Sequence, residues 1–126
     1  MPRRRGNQPA ARTPLDDRRL RRVMQFIAAN LQNRIRLKDL AAVANLSPFH
    51  FARSFRKATG ETPYRFVREC RLERSKQLLA QNDAALAEIS LRCHFSSQSS
   101  FTRAFKRAFG QSPGRYRDEH GARPKK

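Results

Sequence analysis

Leu46-Ser47-Pro48-Phe49-His50-Phe51-Ala52-Arg53-Ser54-Phe55-Arg56-Lys57-Ala58-Thr59-Gly60 has a second copy further along the chain: Phe95-Ser96-Ser97-Gln98-Ser99-Ser100-Phe101-Thr102-Arg103-Ala104-Phe105-Lys106-Arg107-Ala108-Phe109-Gly110. Phe51, Arg53, Phe55, Ala58, Gly60 and Pro63 recur fifty positions later as Phe101, Arg103, Phe105, Ala108, Gly110 and Pro113. Upstream the offset is forty-nine, with Leu40 matching Ile89 and Leu46 matching Phe95, so the second copy holds one extra residue in its turn. Each copy is a short apolar segment, a tight turn, and a helix whose Phe residues at i and i+4 face inward, the layout of a helix-turn-helix. At about 100° per residue, Phe51, Phe55 and Ala58 fall on one face, and Phe49, Arg53, Arg56 and Lys57 lie roughly opposite. In the second copy Phe101, Phe105 and Ala108 are expected to point inward and Ser99, Arg103, Lys106 and Arg107 outward, flanked by Gln98 and Ser100. A cationic, hydrogen-bonding outer face of this kind suits base edges and phosphates in a major groove.

Working outward, helical spacing recurs throughout residues 15–120 and strand alternation does not, so the class is all-α, with about seven helices. Leu20, Val23, Ile27 and Leu31 predict a first helix from Leu15 to about Leu31, with Asp16 and Asp17 near its positive end. Leu37 to Ala44 forms the next, and Ser47-Pro48 opens a third that Gly60 closes. Thr62-Pro63 starts a long helix over residues 63–81, about 28 Å at about 1.5 Å per residue, which Asn82-Asp83 ends. A short helix from about Leu86 to Cys93, another capped by Ser96 or Ser97 and ended by Gly110, and a last one from Pro113 complete the set. The resulting organisation is a basic arm at 1–14, a domain at 15–120 and a basic tail at 121–126. Within the domain, two helix-turn-helix subdomains at about 37–60 and 86–110 are joined by the helix at 63–81.

The charge fits this layout. The 126 residues carry 28 Lys and Arg against 10 Asp and Glu, a formal +18, which calls for an acidic partner. All ten acidic residues lie between Asp16 and Glu119, and residues 15–120 still hold 21 basic side chains against those 10. Charge inside the fold can be aimed at one surface, as a charged tail cannot. Two units joined by one helix could place their outer faces in successive major grooves, roughly 34 Å apart on one side of the duplex. Since the copies differ at their outer positions, the site read should be asymmetric rather than palindromic.

With these residues in view, the chain from about 20 to 117 resembles the DNA-binding domain of the AraC/XylS family of bacterial transcription regulators. The resemblance is strongest over Ile89 through Arg107, then Phe109-Gly110, Ser112-Pro113 and Tyr116-Arg117, with Arg71-Leu72-Glu73-Arg74 and Leu78-Leu79 in the connecting helix. It implies base contacts from Phe49, His50, Ala52 and Arg53 in the first recognition helix, and from Gln98, Ser99, Ser100 and Arg103 in the second. Arg53 and Arg103 can each pair with guanine through two hydrogen bonds, discriminating by about 1–3 kcal/mol, and a phosphate clamp is the alternative role. Ala52 offers only a methyl, suited to thymine or to no base at all, and Lys57, Lys106 and Arg107 are read as phosphate contacts or plain solvated charge. The family usually carries glycine in both turns; here Asn45 and His94 stand there, two residue types that tolerate positive φ. The resemblance also implies an activator that meets RNA polymerase, binds DNA as a monomer and matches the family's stand-alone members in size.

Other functions find less support. Cys70 and Cys93 stand far apart without metal-ligand spacing and read as small buried apolar groups, so no disulfide, metal or cofactor is expected. No phosphate-cradling glycine loop and no nucleophile with a base is present, so no enzyme is expected. There is no apolar run of membrane-spanning length and no secretory signal; a mitochondrial address at the arm finds only Thr13 among its arginines, leaving the cytoplasm as the expected compartment. The competing reading is a nonspecific basic nucleic-acid binder, structural or ribosome-associated. A cationic membrane-active protein is the third, and the duplicated turns argue against it.

Overall fold

The computed structural model describes residues 15–81 and 83–121, and among them it contains seven α-helices and no strand. They are α1 (Asp17–Ala29), α2 (Leu37–Ala44), α3 (Pro48–Thr59), α4 (Pro63–Gln81), α5 (Leu86–Arg92), α6 (Gln98–Phe109) and α7 (Pro113–His120). The basic arm, Asn82 and the tail beyond Gly121 lie outside the described residues. The chain divides into two compact units at Val67 and Arg68, within α4.

The first helix is two residues shorter at each end than its apolar spacing predicts. Asp16 stays outside as N-cap, its Oδ1 accepting the Arg19 amide at 2.9 Å, and the Asn30 side chain donates to the Phe26 carbonyl at 2.8 Å at the other end. Both satisfy backbone groups that one more helical turn would otherwise have claimed. In the first unit α1 packs on α2 and α2 on α3. Val23, Ile27, Leu40, Ala41, Ala44, Phe51, Phe55 and Val67 form the buried apolar interior, while Leu20 and Leu31 are only half-buried. Phe51 and Phe55 lie 5.5 Å apart between ring centroids, and Phe55 meets Phe66 of α4 edge-on at 5.5 Å.

The second unit repeats this chemistry. Leu72, Leu79, Ile89, Cys93, Phe95, Phe101, Ala104 and Phe105 form its core. Phe101 and Phe105 stand 5.7 Å apart, and Phe105 meets Tyr116 of α7 at 5.7 Å, as Phe55 meets Phe66 fifty positions earlier. Ser75 and Ser90 are buried with this core, each hydroxyl satisfied by a carbonyl of its own helix, Leu72 and Leu86 respectively. Arg117 donates from a terminal guanidinium nitrogen to the Ala84 carbonyl at 2.6 Å, tying α7 to the loop before α5. Periodicity gave no sign of that contact.

Three expectations need correction. Ala58 and Ala108 are exposed, because the inward line in each helix follows steps of four, through Phe51, Phe55 and Thr59 and through Phe101, Phe105 and Phe109. Thr59 is half-buried with its hydroxyl donating to the Phe55 carbonyl at 2.9 Å, and Phe109 packs on Phe105 at 4.7 Å. Cys93 is buried but follows α5 as its cap, and Cys70 is only half-buried. Burial pushes the Cys93 thiol above its ordinary pKa, against a downward pull from Arg74, Arg71 and Arg92. Leu37, expected among the apolar residues of α2, opens the helix exposed.

Candidate nucleic-acid interface

Both turns form by the same bonds. After α2 the Leu46 amide donates to the Ala41 carbonyl at 2.9 Å and the Asn45 amide to Ala42 at 3.1 Å; after α5 the Phe95 amide donates to Ser90 at 3.0 Å and His94 to Leu91 at 2.9 Å. This crossed pair is the Schellman helix ending, which requires a left-handed residue. Asn45 and His94 occupy that position with φ of 60° and 63°, at the two places where the family pattern calls for glycine. The extra residue of the second copy lies between this residue and the next N-cap: Leu46 alone in the first turn, Phe95 and Ser96 in the second. That resolves the cap of α6 as Ser97.

Helices α3 and α6 then start and stop alike. Ser47 Oγ accepts the His50 amide at 3.2 Å, and Ser97 Oγ accepts the Ser100 amide at 3.0 Å. Gly60 and Gly110 end them with φ of 85° and 83°. The equivalent donation recurs one element later, from the Arg65 amide to Thr62 Oγ1 at 3.2 Å and from the Arg115 amide to Ser112 Oγ at 3.1 Å. Each of α3 and α6 is thus a 12-residue rod with both ends satisfied and two buried Phe residues setting its rotation.

On α3 the outer surface presents Phe49, His50, Arg53, Arg56 and Lys57, all exposed. Phe49 is 66% exposed, unusual for so large an apolar ring, and the Arg53 guanidinium lies over it at 5.6 Å from the centroid. His50 Nδ1 is 2.7 Å from Ser47 Oγ. In the tautomer protonated at Nε2 the hydroxyl donates to Nδ1 while accepting the amide, so both of its functions are used. Ala52 sits half-buried on the flank of this surface. On α6, Gln98, Ser99, Arg103, Lys106 and Arg107 are exposed, and Ser100 is half-buried beside them. None of Arg53, Arg56, Lys57, Arg103, Lys106 and Arg107 has a carboxylate partner among the described residues. Arg56 and Lys57, like Lys106 and Arg107, stand in the last turn, where they also offset the helix dipole. Each candidate set is therefore gathered on one helix of its own unit.

The described residues hold no cluster of His, Cys, Asp or Glu able to bind a metal ion, and no helix long and apolar enough to cross a membrane. Charge is unequally shared between the units. Residues 15–67 carry 11 basic against 4 acidic side chains, whereas residues 68–121 carry 10 against 6. Ion pairs in the second unit include Glu73 with Lys76 at 3.0 Å, Glu88 with Arg92, and Glu119 with Arg115 at 3.4 Å.

Known proteins share this arrangement. A family described as a helix-turn-helix domain matches residues 40–119. The probable transcriptional regulator LumQ of Photobacterium leiognathi is 41% identical over 91 residues, 72% of this chain and 37% of that protein. The HTH-type transcriptional regulator MtrA of Neisseria gonorrhoeae is 32% identical over 105 residues, 83% of this chain and 35% of the relative. Among solved structures, an AraC-type transcriptional regulator from Chromobacterium violaceum superposes with a TM-score of 0.76 at 28% identity, covering 86% of this chain and 96% of that one. The DNA-binding domain of the transcriptional factor AdpA, solved in complex with a target DNA, gives a TM-score of 0.69 at 30% identity, covering 82% and 93%. The chain belongs to the AraC/XylS family of helix-turn-helix transcription regulators. It spans little more than a third of the length of the curated relatives it matches.

Proposed function

We propose that this chain binds duplex DNA in a sequence-specific manner and regulates transcription, with α3 and α6 each entering one of two successive major grooves of an asymmetric site. One observation carries the reading: two rods with the same caps, turns and buried Phe pairs carry different outer side chains, a constant support with a variable face. Arg53 and Arg103 are assigned to guanine, with Phe49, His50 and Ala52 and with Gln98, Ser99 and Ser100 contacting neighbouring base edges. Lys57, Lys106 and Arg107 are assigned to phosphates, which position the protein without reading sequence. A relative solved on its target DNA supports the choice of partner. Binding as a monomer, a cytoplasmic site of action and activation through RNA polymerase are the parts of the reading that the family resemblance supports.

The test is selection from a random duplex pool with wild type, Arg53→Ala and Arg103→Ala at one stated salt concentration. The expected product is a site with two unlike halves about one helical turn apart. Each substitution should degrade a different half by about 1–3 kcal/mol of discrimination. No enriched site, with affinity set by salt alone, would replace this reading with that of a nonspecific basic binder.

A further inference from the structure

Positive side chains gather in the last turns of α3, α5, α6 and α7, the negative ends of those helices. α1, α2 and α4 have no basic residue in the last turn, and among the described helices α1 alone places four arginines in its first six positions. These are Arg18, Arg19, Arg21 and Arg22, at the positive end. Asp16, through its cap, and Asp17 offset two of these four charges and leave a positive surplus at that end. A placement that opposes the helix dipole lowers the stability of the helix, and such local conflicts mark surfaces with another use.

Arg18, Arg21 and Arg22 are spaced by three and four residues, so they share one side of α1, opposite the buried Val23 and Ile27, and all three are exposed. None has a hydrogen bond or ion pair among the described residues. Gln25 continues the same side one turn on. A protein partner would be expected to find a large apolar anchor there, yet among the described residues the exposed large apolar ones are Leu37, Phe49, Tyr64 and Leu91, none of them on α1. Planar guanidinium forks without apolar company suit phosphate.

We propose that the Arg18, Arg21 and Arg22 side of α1 is a phosphate-binding surface for the backbone of duplex DNA, adding affinity to the first unit without reading bases. The identity of the polyanion rests on the function proposed above. The test uses the full chain carrying Arg18→Gln, Arg21→Gln and Arg22→Gln, with log Kd followed against log salt concentration. Removing three phosphate-binding side chains should flatten the slope by about 2–3, at about 0.9 per neutralised phosphate. The selected base sequence should stay unchanged, and the melting temperature should rise as the conflict with the dipole is removed. A second variant takes the same charge from ion-paired positions, Lys76→Gln, Arg92→Gln and Arg115→Gln, and should leave the slope close to that of wild type. Replacing the three α1 arginines by Lys should retain most of the slope and confirms that the loss is not one of folding. An unchanged slope in the Gln variant, or an equal loss in both triple variants, overturns the surface. A wild type that enriches no sequence but still loses slope on α1 substitution would overturn the base-reading function and leave the phosphate surface standing.

Discussion

A left-handed backbone conformation brings Cβ too close to the following carbonyl oxygen, at roughly 1–2 kcal/mol for an ordinary residue. Asn45 and His94 both adopt it, but Asn enters this region more readily than a bulky ring does. His94→Gly should therefore stabilise the chain by about 1 kcal/mol after the extra chain entropy of glycine, and Asn45→Gly by less. Thermal unfolding of both variants beside wild type checks the order; equal shifts, or a loss at His94, would mean that the histidine ring's packing outweighs the strain. At this scale the sequence was legible wherever one residue type answers one need. Positive φ at Asn45 and His94 was legible only through the family resemblance, which places glycine there, whereas the four inward Phe rings were legible from their spacing. Ala58 and Ala108 were not, because a small side chain near the edge of a helical face packs or not according to which neighbour lies beyond it. Angle alone does not contain that information.

Helix ends were set by side chains that the sequence displays openly: Ser47-Pro48, Gly60, Pro63, Gly110 and Ser112-Pro113. The ends of α1 were harder, since Asp16 and Asn30 could each have lain inside the helix, and only their hydrogen bonds show that they do not. The second cap was ambiguous for a similar reason. Ser96 and Ser97 are chemically alike, and the inserted residue decides which of them faces the amide of Ser100. Ser97→Ala should destabilise α6 by about 1 kcal/mol, measured by urea unfolding, whereas Ser96→Ala should stay within about 0.5 kcal/mol, as surface changes do. A larger loss at Ser96 would reverse the assignment.

For the molecule as a whole, the duplication and the charge were legible, and the division of charge between the units was not. Which cations are balanced by carboxylates depends on side chains meeting in space, as Arg92 meets Glu88 and Arg115 meets Glu119, while Arg18, Arg21 and Arg22 meet none among the described residues. The candidate base-reading residues were legible as a face because helical period and the Phe pairs fix rotation, but the docking of Arg53 over Phe49 was not. It depends on a rotamer of a long side chain, and several rotamers fit the same backbone.

The matched supports of α3 and α6 have a consequence for redesign. Both rods are 12 residues long and begin one residue after a serine cap. Each closes on a glycine of nearly the same φ, 85° in one and 83° in the other. On the function proposed above, their outer positions are interchangeable cassettes. Pro48→Gln, Phe49→Ser, His50→Ser and Ala52→Thr would give α3 the alphabet of α6 at Gln98, Ser99, Ser100 and Thr102, with Arg53 already the counterpart of Arg103. Selection with that variant should return a site holding two copies of the second half-site, turning a reader of two different words into a reader of one word written twice.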